Sequence, residues 1–229
     1  MNRHQMISGL LCLLAAGVAQ CAQAAPADGW DGCYAGVHGG YGSASIGGVD
    51  LLVNNAIGSA TADGGVIGGQ AGCDRQSANW VMGGQLSASK GFLSGSHQYH
   101  LGSGPFNRVT YNVDYLASLA GRIGYVFQPQ TLAYLKVGGA MTRTNHNDSD
   151  PAPLFGVPYT GNKTATRNGW LVGVGLERKI GSDLSGFVEF NYMDFGRQNV
   201  TIAYSDGVIA TYSFRQKLSY LGLGVNYRY

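Results

Sequence analysis

Eight segments of this 229-residue chain alternate large apolar residues with small or polar ones at every second position. They span residues 33–41, 66–73, 80–89, 114–127, 133–141, 170–179, 188–192 and 220–229. In segment 114–127, for example, Tyr115 and Leu119 share one parity, whereas Ser118 and Arg122 share the other. Successive side chains of a β-strand point to opposite faces, so each segment predicts a strand with one apolar face.

After residue 24 the chain has no apolar run of about 18 residues, the length that would indicate a membrane-spanning helix. A sheet with an apolar outer face can cross a membrane only if it closes on itself, because every backbone group must be hydrogen-bonded. Strands of such barrels carry apolar side chains toward lipid and small or polar ones toward the lumen. The alternation therefore predicts an all-β fold, namely an eight-stranded antiparallel up-and-down transmembrane β-barrel.

The predicted connections alternate in length along the chain. Long connections are expected near residues 47–64, 89–110, 143–165 and 196–215, and short ones at 74–78, 128–131 and 181–183. Outer-membrane barrels have long loops outside the cell and short turns in the periplasm. We therefore expect both termini to lie on the side of the short turns.

The N-terminus is typical of a secretory signal peptide. Arg3 and His4 precede an apolar stretch of about 14 residues at 6–19, and the stretch 22–24 (AQA) offers a cleavage site. We expect residues 1–24 to be removed and residues 25–229 to form one outer-membrane β-barrel domain. A lipoprotein anchor at Cys21 is a weaker alternative, because Gln20 stands where such anchors have a small residue.

The net charge and the cysteines exclude further classes of function. The formal net charge of +2 is too small for nucleic-acid binding, which needs a concentrated basic face. Cys33 and Cys73 remain after signal cleavage, in a chain bound for an oxidising compartment. They share the outward parity on strands expected to pair, so they form either a disulfide or two small apolar residues facing lipid. No zinc-type cysteine or histidine spacing is present, and we predict neither metal nor cofactor.

Charged residues of inward parity recur on the predicted strands four to eight. They are Arg122, Lys136, Glu177, Glu189 and Arg228. An unpaired buried charge is costly, and the interior of an eight-stranded barrel is just wide enough for side chains to fill. We expect a plug of ion pairs in the lumen, with a narrow path for ions or small solutes as the alternative.

Six motifs lie on the predicted strands: WDGCYAG at 30–36, GVIGGQAG at 65–72, GRIGY at 121–125, GWLVGVGLE at 169–177, VEFNYMDFG at 188–196 and LGLGVNYRY at 221–229. On these motifs, nearly all of the chain after the signal resembles the small outer-membrane β-barrel family of Gram-negative bacteria. These proteins are OmpA-like in the membrane domain and are often labelled porin family proteins. The resemblance implies an outer-membrane location and a C-terminal signal for the outer-membrane assembly machinery, carried here by Gly224, Tyr227 and Tyr229. Cys33 replaces a usual aromatic residue, and Gln85 stands where an inward carboxylate is often found.

These observations predict a non-enzymatic outer-membrane protein with a structural or weakly porin-like role. Its expected partners are outer-membrane lipid and lipopolysaccharide, the assembly machinery, and small solutes or surface ligands of the external loops. One alternative is a lipid-modifying enzyme of the lipid A deacylase type, suggested by His97, His100 and His146 in predicted loops. Another is a barrel binding haem or a similar ligand through Tyr99, His97 and His100. The enzyme is disfavoured, because these histidines are not on strands at matched heights with a serine and a carboxylate. The haem-binding alternative stays open.

Overall fold

A computed structural model of the chain describes residues 29–50, 55–99, 107–150, 159–203 and 209–229. It contains eight β-strands: β1 Gly32–Asp50, β2 Asn55–Ser77, β3 Trp80–Tyr99, β4 Asn107–Gln128, β5 Thr131–Asp150, β6 Tyr159–Lys179, β7 Leu184–Ala203 and β8 Ile209–Arg228. The predicted signal peptide 1–24 and His100 lie outside the described residues. In the described part of the chain, no helix is long and apolar enough to cross a membrane.

The strands form a closed antiparallel barrel in which each pairs with its neighbours in sequence and β1 pairs with β8. Paired residues can be followed once around the barrel from Tyr34, through Gly72, Gln85, Ala120, Gly138, Leu171, Met193 and Leu218. This path returns to β1 at Ala44, ten residues beyond Tyr34. Such a stagger tilts the strands relative to the barrel axis. The predicted fold class and strand number are therefore confirmed.

The short connections at 128–131 and 181–183 lie where the alternation predicts them, but the turn predicted at 74–78 is mostly strand, because β2 runs to Ser77. The long connections were predicted too long. Strands β2 and β3 are separated only by Ala78 and Asn79, and β4 and β5 only by Pro129 and Gln130. At the other end β1 runs to Asp50 and β2 begins at Asn55, so most of the predicted loop 47–64 is strand. The same correction applies to 89–110, 143–165 and 196–215. Within the extensions Ala62 and Leu93 face the lumen, so the outward apolar period of the belt does not mark these strands although the backbone ladder continues.

Three residues that the sequence analysis assigned to loops lie on the extended strands. His97 and Tyr99 lie on β3, and His146 lies on β5. The assignment of these residues to external loops is therefore wrong. Their side chains, which the enzyme and haem hypotheses would need, lie outside the described part of the structure.

The outer face of the barrel is an apolar belt with polar margins. Exposed side chains along it include Val37, Ile67, Leu86, Leu119, Val137, Val174, Phe190 and Leu223. Aromatic pairs mark its edges: Trp80 and Tyr125 near the short turns, with ring centroids 5.2 Å apart, and Trp170 and Tyr192 near the other end, 5.6 Å apart. A belt bounded by aromatic girdles is the surface that a barrel presents to a bilayer.

The inner face near the short turns is polar and charged, beside a small apolar cluster of Trp30, Val81, Leu132 and Tyr134. Farther from the short turns, buried apolar side chains form a second layer, called here the upper apolar layer: Ala44, Ala62, Val66, Leu93, Val113, Leu116, Ala120, Ala140, Leu171, Met193, Phe195, Leu218 and Tyr220. The barrel is therefore packed inside, like a soluble protein core, at the end away from the termini.

Candidate functional site in the lumen

Arg122 is the centre of the charged layer. From β4, its Nε donates to Asp74 Oδ1 at 2.7 Å and its Nη1 donates to Glu177 Oε2 at 3.0 Å. Its Nη2 also donates to Asp74. The guanidinium carbon lies 4.7 Å from the ring centroid of Tyr34 and 4.9 Å from that of Tyr134, so both rings add cation–π contacts. Arg122 thus links β2, β4 and β6 across the barrel.

Arg228 and two polar side chains complete the hydrogen bonding of these carboxylates. Arg228 Nη2 donates to Asp74 Oδ2 at 2.9 Å, and its Nη1 donates to the carbonyl oxygen of Trp30 at 2.6 Å. Glu177 Oε1 accepts from Ser185 Oγ at 2.6 Å and from Asn226 Nδ2 at 2.9 Å. Both carboxylates are buried, so each of these donors replaces water that the ionised group has lost.

A second ion pair joins β5 to β7. Lys136 Nζ lies 2.7 Å from Glu189 Oε1, which also accepts from Asn191 Nδ2 at 2.7 Å. Tyr134 donates its hydroxyl proton to Glu189 Oε2 at 2.8 Å. Lys136 also donates to Gln85 Oε1 at 3.2 Å. Gln85, which replaces an expected carboxylate, is thus a neutral acceptor for a lysine already paired with Glu189.

These two groups are called here the lumen charge cluster: Asp74, Arg122, Lys136, Glu177, Glu189 and Arg228. It holds three cations and three carboxylates, so the cluster has no net charge. The structure brings together all five charged residues that the sequence analysis placed in the lumen. It adds Asp74, which has the inward parity on β2 but which the analysis did not include because it considered only strands four to eight.

Inward-facing glycines make room for the long side chains of the cluster. A Cβ atom at Gly175 would lie 2.5 Å from the Tyr134 hydroxyl oxygen, and one at Gly173 would lie 2.9 Å from Lys136 Cε. Contacts this close require a neighbour to move. Glycine on one strand therefore allows a long side chain from the next strand to lie across the lumen, which accounts for part of the chain's high glycine content.

Neutral polar side chains lie between the cluster and the upper apolar layer. His38 Nε2 is hydrogen-bonded to Ser89 Oγ at 2.8 Å, and the other ring nitrogen of His38 contacts Gln70. Gln70 in turn donates to Asn226 Oδ1 at 2.6 Å. All four residues are buried. The cross-section is thus occupied by connected side chains from the charge cluster up to the apolar layer.

Cys33 and Cys73 are paired directly across β1 and β2, and their sulfur atoms are bonded at 2.03 Å. The bond lies near the short turns, and it decides between the two alternatives that parity left open. It closes a covalent loop with a sequence separation of 40 residues. The β1–β2 pairing is therefore fixed by a covalent bond as well as by backbone hydrogen bonds.

The three residues of the proposed assembly signal lie at the end of the chain. Gly224 lies on β8, where an added Cβ would be 2.7 Å from Phe187 Cζ. Tyr227 faces outward, and the backbone N–H of Tyr229 donates to the carbonyl oxygen of Cys33 at 3.0 Å. Their recognition by the assembly machinery remains a prediction. In the described residues no group of three histidine, cysteine, aspartate or glutamate side chains could hold a metal ion.

Known proteins with the same features are outer-membrane barrels. Residues 9–228 match the family model described as outer membrane protein beta-barrel domain. The 25 kDa outer-membrane immunogenic protein of Brucella abortus is 26% identical over 183 residues, which cover 79% of this chain and 73% of that protein.

Two solved structures have the same fold. The outer membrane protein OprG from Pseudomonas aeruginosa is 11% identical with a TM-score of 0.53, covering 87% of this chain and 97% of OprG. The outer membrane protease OmpT from Escherichia coli is 10% identical with a TM-score of 0.57, over 87% of this chain and 97% of OmpT. At these identities the likeness concerns the fold alone. Together with the match over residues 9–228, the closed barrel and its apolar belt lead to one conclusion: the chain belongs to the outer-membrane β-barrel family and is an integral protein of the outer membrane.

Proposed function

We propose that this protein is a non-conducting, non-enzymatic barrel that supports the outer membrane and presents its external end at the cell surface. The observation that carries the proposal is the filled lumen, in which a neutral charge cluster lies below an upper apolar layer. The B. abortus relative is named as an immunogenic outer-membrane protein, which is consistent with a surface-exposed end. OmpT is a protease, but its likeness to this chain concerns the fold alone.

Two barriers oppose the passage of a hydrated ion. Each charge of the cluster is already matched by an opposite charge, so an ion entering from the periplasm finds no excess charge to attract it. Above it, the buried side chains of Leu93, Leu171 and Leu218 offer no hydrogen-bonding partner to replace lost water. Hydrophobic constrictions of this kind close pores by excluding water. The weakly porin-like role is thus the less supported form of the proposal.

We expect refolded wild-type protein to give no discrete conductance steps in a planar bilayer in which a known porin gives them. The Lys136→Ala/Glu189→Ala variant removes one ion pair and leaves the upper apolar layer in place, so it is expected to stay silent. A variant that adds Leu93→Ala, Leu171→Ala and Leu218→Ala is expected to conduct, since it removes the apolar barrier and the missing ion pair widens the charged layer below it.

Regular conductance steps in the wild-type protein would contradict the proposal. If those steps were lost in a Glu177→Gln/Glu189→Gln variant, the lumen itself would be the path. Mass spectrometry of lipid A from cells with and without the protein tests the non-enzymatic part, and we expect identical spectra. We also propose that Gly224, Tyr227 and Tyr229 engage the outer-membrane assembly machinery.

A further inference from the structure

Three outward side chains lie next to one another at one margin of the apolar belt. Lys90 on β3 is paired with Tyr115 on β4, and Tyr115 is paired with Arg143 on β5. All three are exposed on the outer face of the barrel. Neighbouring strands are about 4.8 Å apart, so the Cα atoms of Lys90 and Arg143 are separated by roughly 10 Å. Their long side chains can therefore reach one anion placed over the tyrosine ring.

The position of this trio along the barrel decides which membrane surface it faces. It lies on the side away from the short turns and the C-terminus, which is the external side in outer-membrane barrels. Below it, on the same strands, Leu86, Leu119 and Val137 are exposed parts of the apolar belt. Two cations that flank a phenol, with an apolar wall below them, match an amphipathic molecule with an anionic headgroup and acyl chains.

One acidic residue adjoins the trio in sequence. Asp114 lies at the β4 bulge between Val113 and Tyr115 and is half-buried, whereas Lys90 and Arg143 are exposed, so two positive charges stand against one negative charge. Lys90 Nζ lies 5.7 Å from the ring centroid of Phe92, a contact that leaves its protons available to an acceptor. The trio is therefore a cationic surface with hydrogen-bond donors directed away from the barrel.

We propose that Lys90, Tyr115 and Arg143 bind a phosphate of lipopolysaccharide, the phosphorylated glycolipid of the outer leaflet. The arginine and lysine supply charge-assisted hydrogen bonds to phosphate oxygens, and the tyrosine hydroxyl donates a third. The acyl chains of the same molecule lie along Leu86, Leu119 and Val137. This inference gives the proposed envelope role a lipid partner, and it stands whether or not the lumen conducts.

The test is a titration of the refolded full-length barrel, in detergent, with purified lipopolysaccharide, using thermophoresis to measure the dissociation constant. We expect Lys90→Ala/Arg143→Ala to weaken binding about thirtyfold and Tyr115→Phe about fivefold. The matched control is Arg75→Ala/Arg178→Ala, which removes two exposed arginines at the opposite margin of the belt. This control is expected to bind within threefold of wild type.

Two further ligands separate the sources of the phosphate. Phosphatase-treated lipopolysaccharide and phosphatidylglycerol are both expected to bind at least tenfold more weakly than intact lipopolysaccharide. Every variant is first checked for the gel shift of a folded barrel, so that misfolding is not read as lost binding. Wild-type affinity in the Lys90→Ala/Arg143→Ala variant would overturn the site. Equal binding of phosphatidylglycerol would overturn the assignment to lipopolysaccharide. Conductance steps in the wild-type protein would contradict the proposed function but would change neither of these two binding results.

Discussion

Replacing Arg122 by alanine is expected to lower the free energy of unfolding by about 3–5 kcal/mol, the usual cost of breaking a buried ion pair from one side. The change removes three donors at once. Asp74 keeps only Arg228 as an ionic partner, and the Oε1 atom of Glu177 lies 4.0 Å from the nearest Arg228 nitrogen. Urea unfolding of the refolded barrel in detergent micelles, followed by tryptophan fluorescence, measures the loss.

Two variants make the Arg122 result specific. Arg122→Met/Glu177→Gln removes a cation together with a carboxylate, so we expect it to recover much of the lost stability. Arg215→Ala breaks the 2.6 Å pair with Asp194, but the Arg215 side chain is 48% exposed, so we expect a much smaller loss of stability than for Arg122→Ala. An Arg122→Ala barrel as stable as the Arg215→Ala barrel would contradict the role given to the lumen charge cluster.

The second large effect is expected from adding a side chain at Gly138. This glycine faces the lumen on β5, and a Cβ there would lie 2.5 Å from Ala120 Cα and 2.8 Å from Ala120 Cβ, besides contacting the Leu119 carbonyl oxygen. Because the obstacle is the backbone of β4, it cannot rotate away as a flexible side chain could. We expect Gly138→Val to destabilise the barrel by about 3 kcal/mol, the upper end of the range for overpacking.

The next residue provides the control for this substitution. A Cβ at Gly139 would meet no atom within 4 Å, because Gly139 faces outward. Gly139→Val is expected to fold as well as wild type or better, since valine suits a lipid-facing strand position. Both variants are measured by the fraction refolded and by the urea midpoint. Equal behaviour of the two would mean that the packing assigned to the inner face of β5 is wrong.

The alternation predicted the fold because lipid imposes a strict two-residue period. Where apolar residues such as Leu119 and Ile123 recur at every second position, only one face can meet acyl chains. The same reasoning placed Cys33 and Cys73 on one face of paired strands. It left open whether they are bonded, because parity sets the side of the sheet and not the distance between sulfur atoms.

The alternation that indicates lipid-facing strands ends where the apolar belt ends. On β1, Ala44 and Ile46 alternate with Ser43 and Ser45, so the apolar residues face the lumen and the polar ones face outward, the reverse of the pattern inside the belt. The sequence analysis ended the first strand at residue 41 and began the loop near 47, so it left this region unassigned. It therefore missed the upper apolar layer, which forms only when eight tilted strands bring such residues to one level. Asp74 was missed because the lumen charges were sought only on strands four to eight.

The central claim is that one closed barrel carries its apolar surface outside and its charges inside, and heat modifiability on a denaturing gel tests it most directly. A closed barrel resists the detergent until it is boiled, so the unheated and boiled samples are expected to migrate at different positions. Identical migration of the two samples, together with recovery of the processed chain as a water-soluble monomer without detergent, would contradict the account.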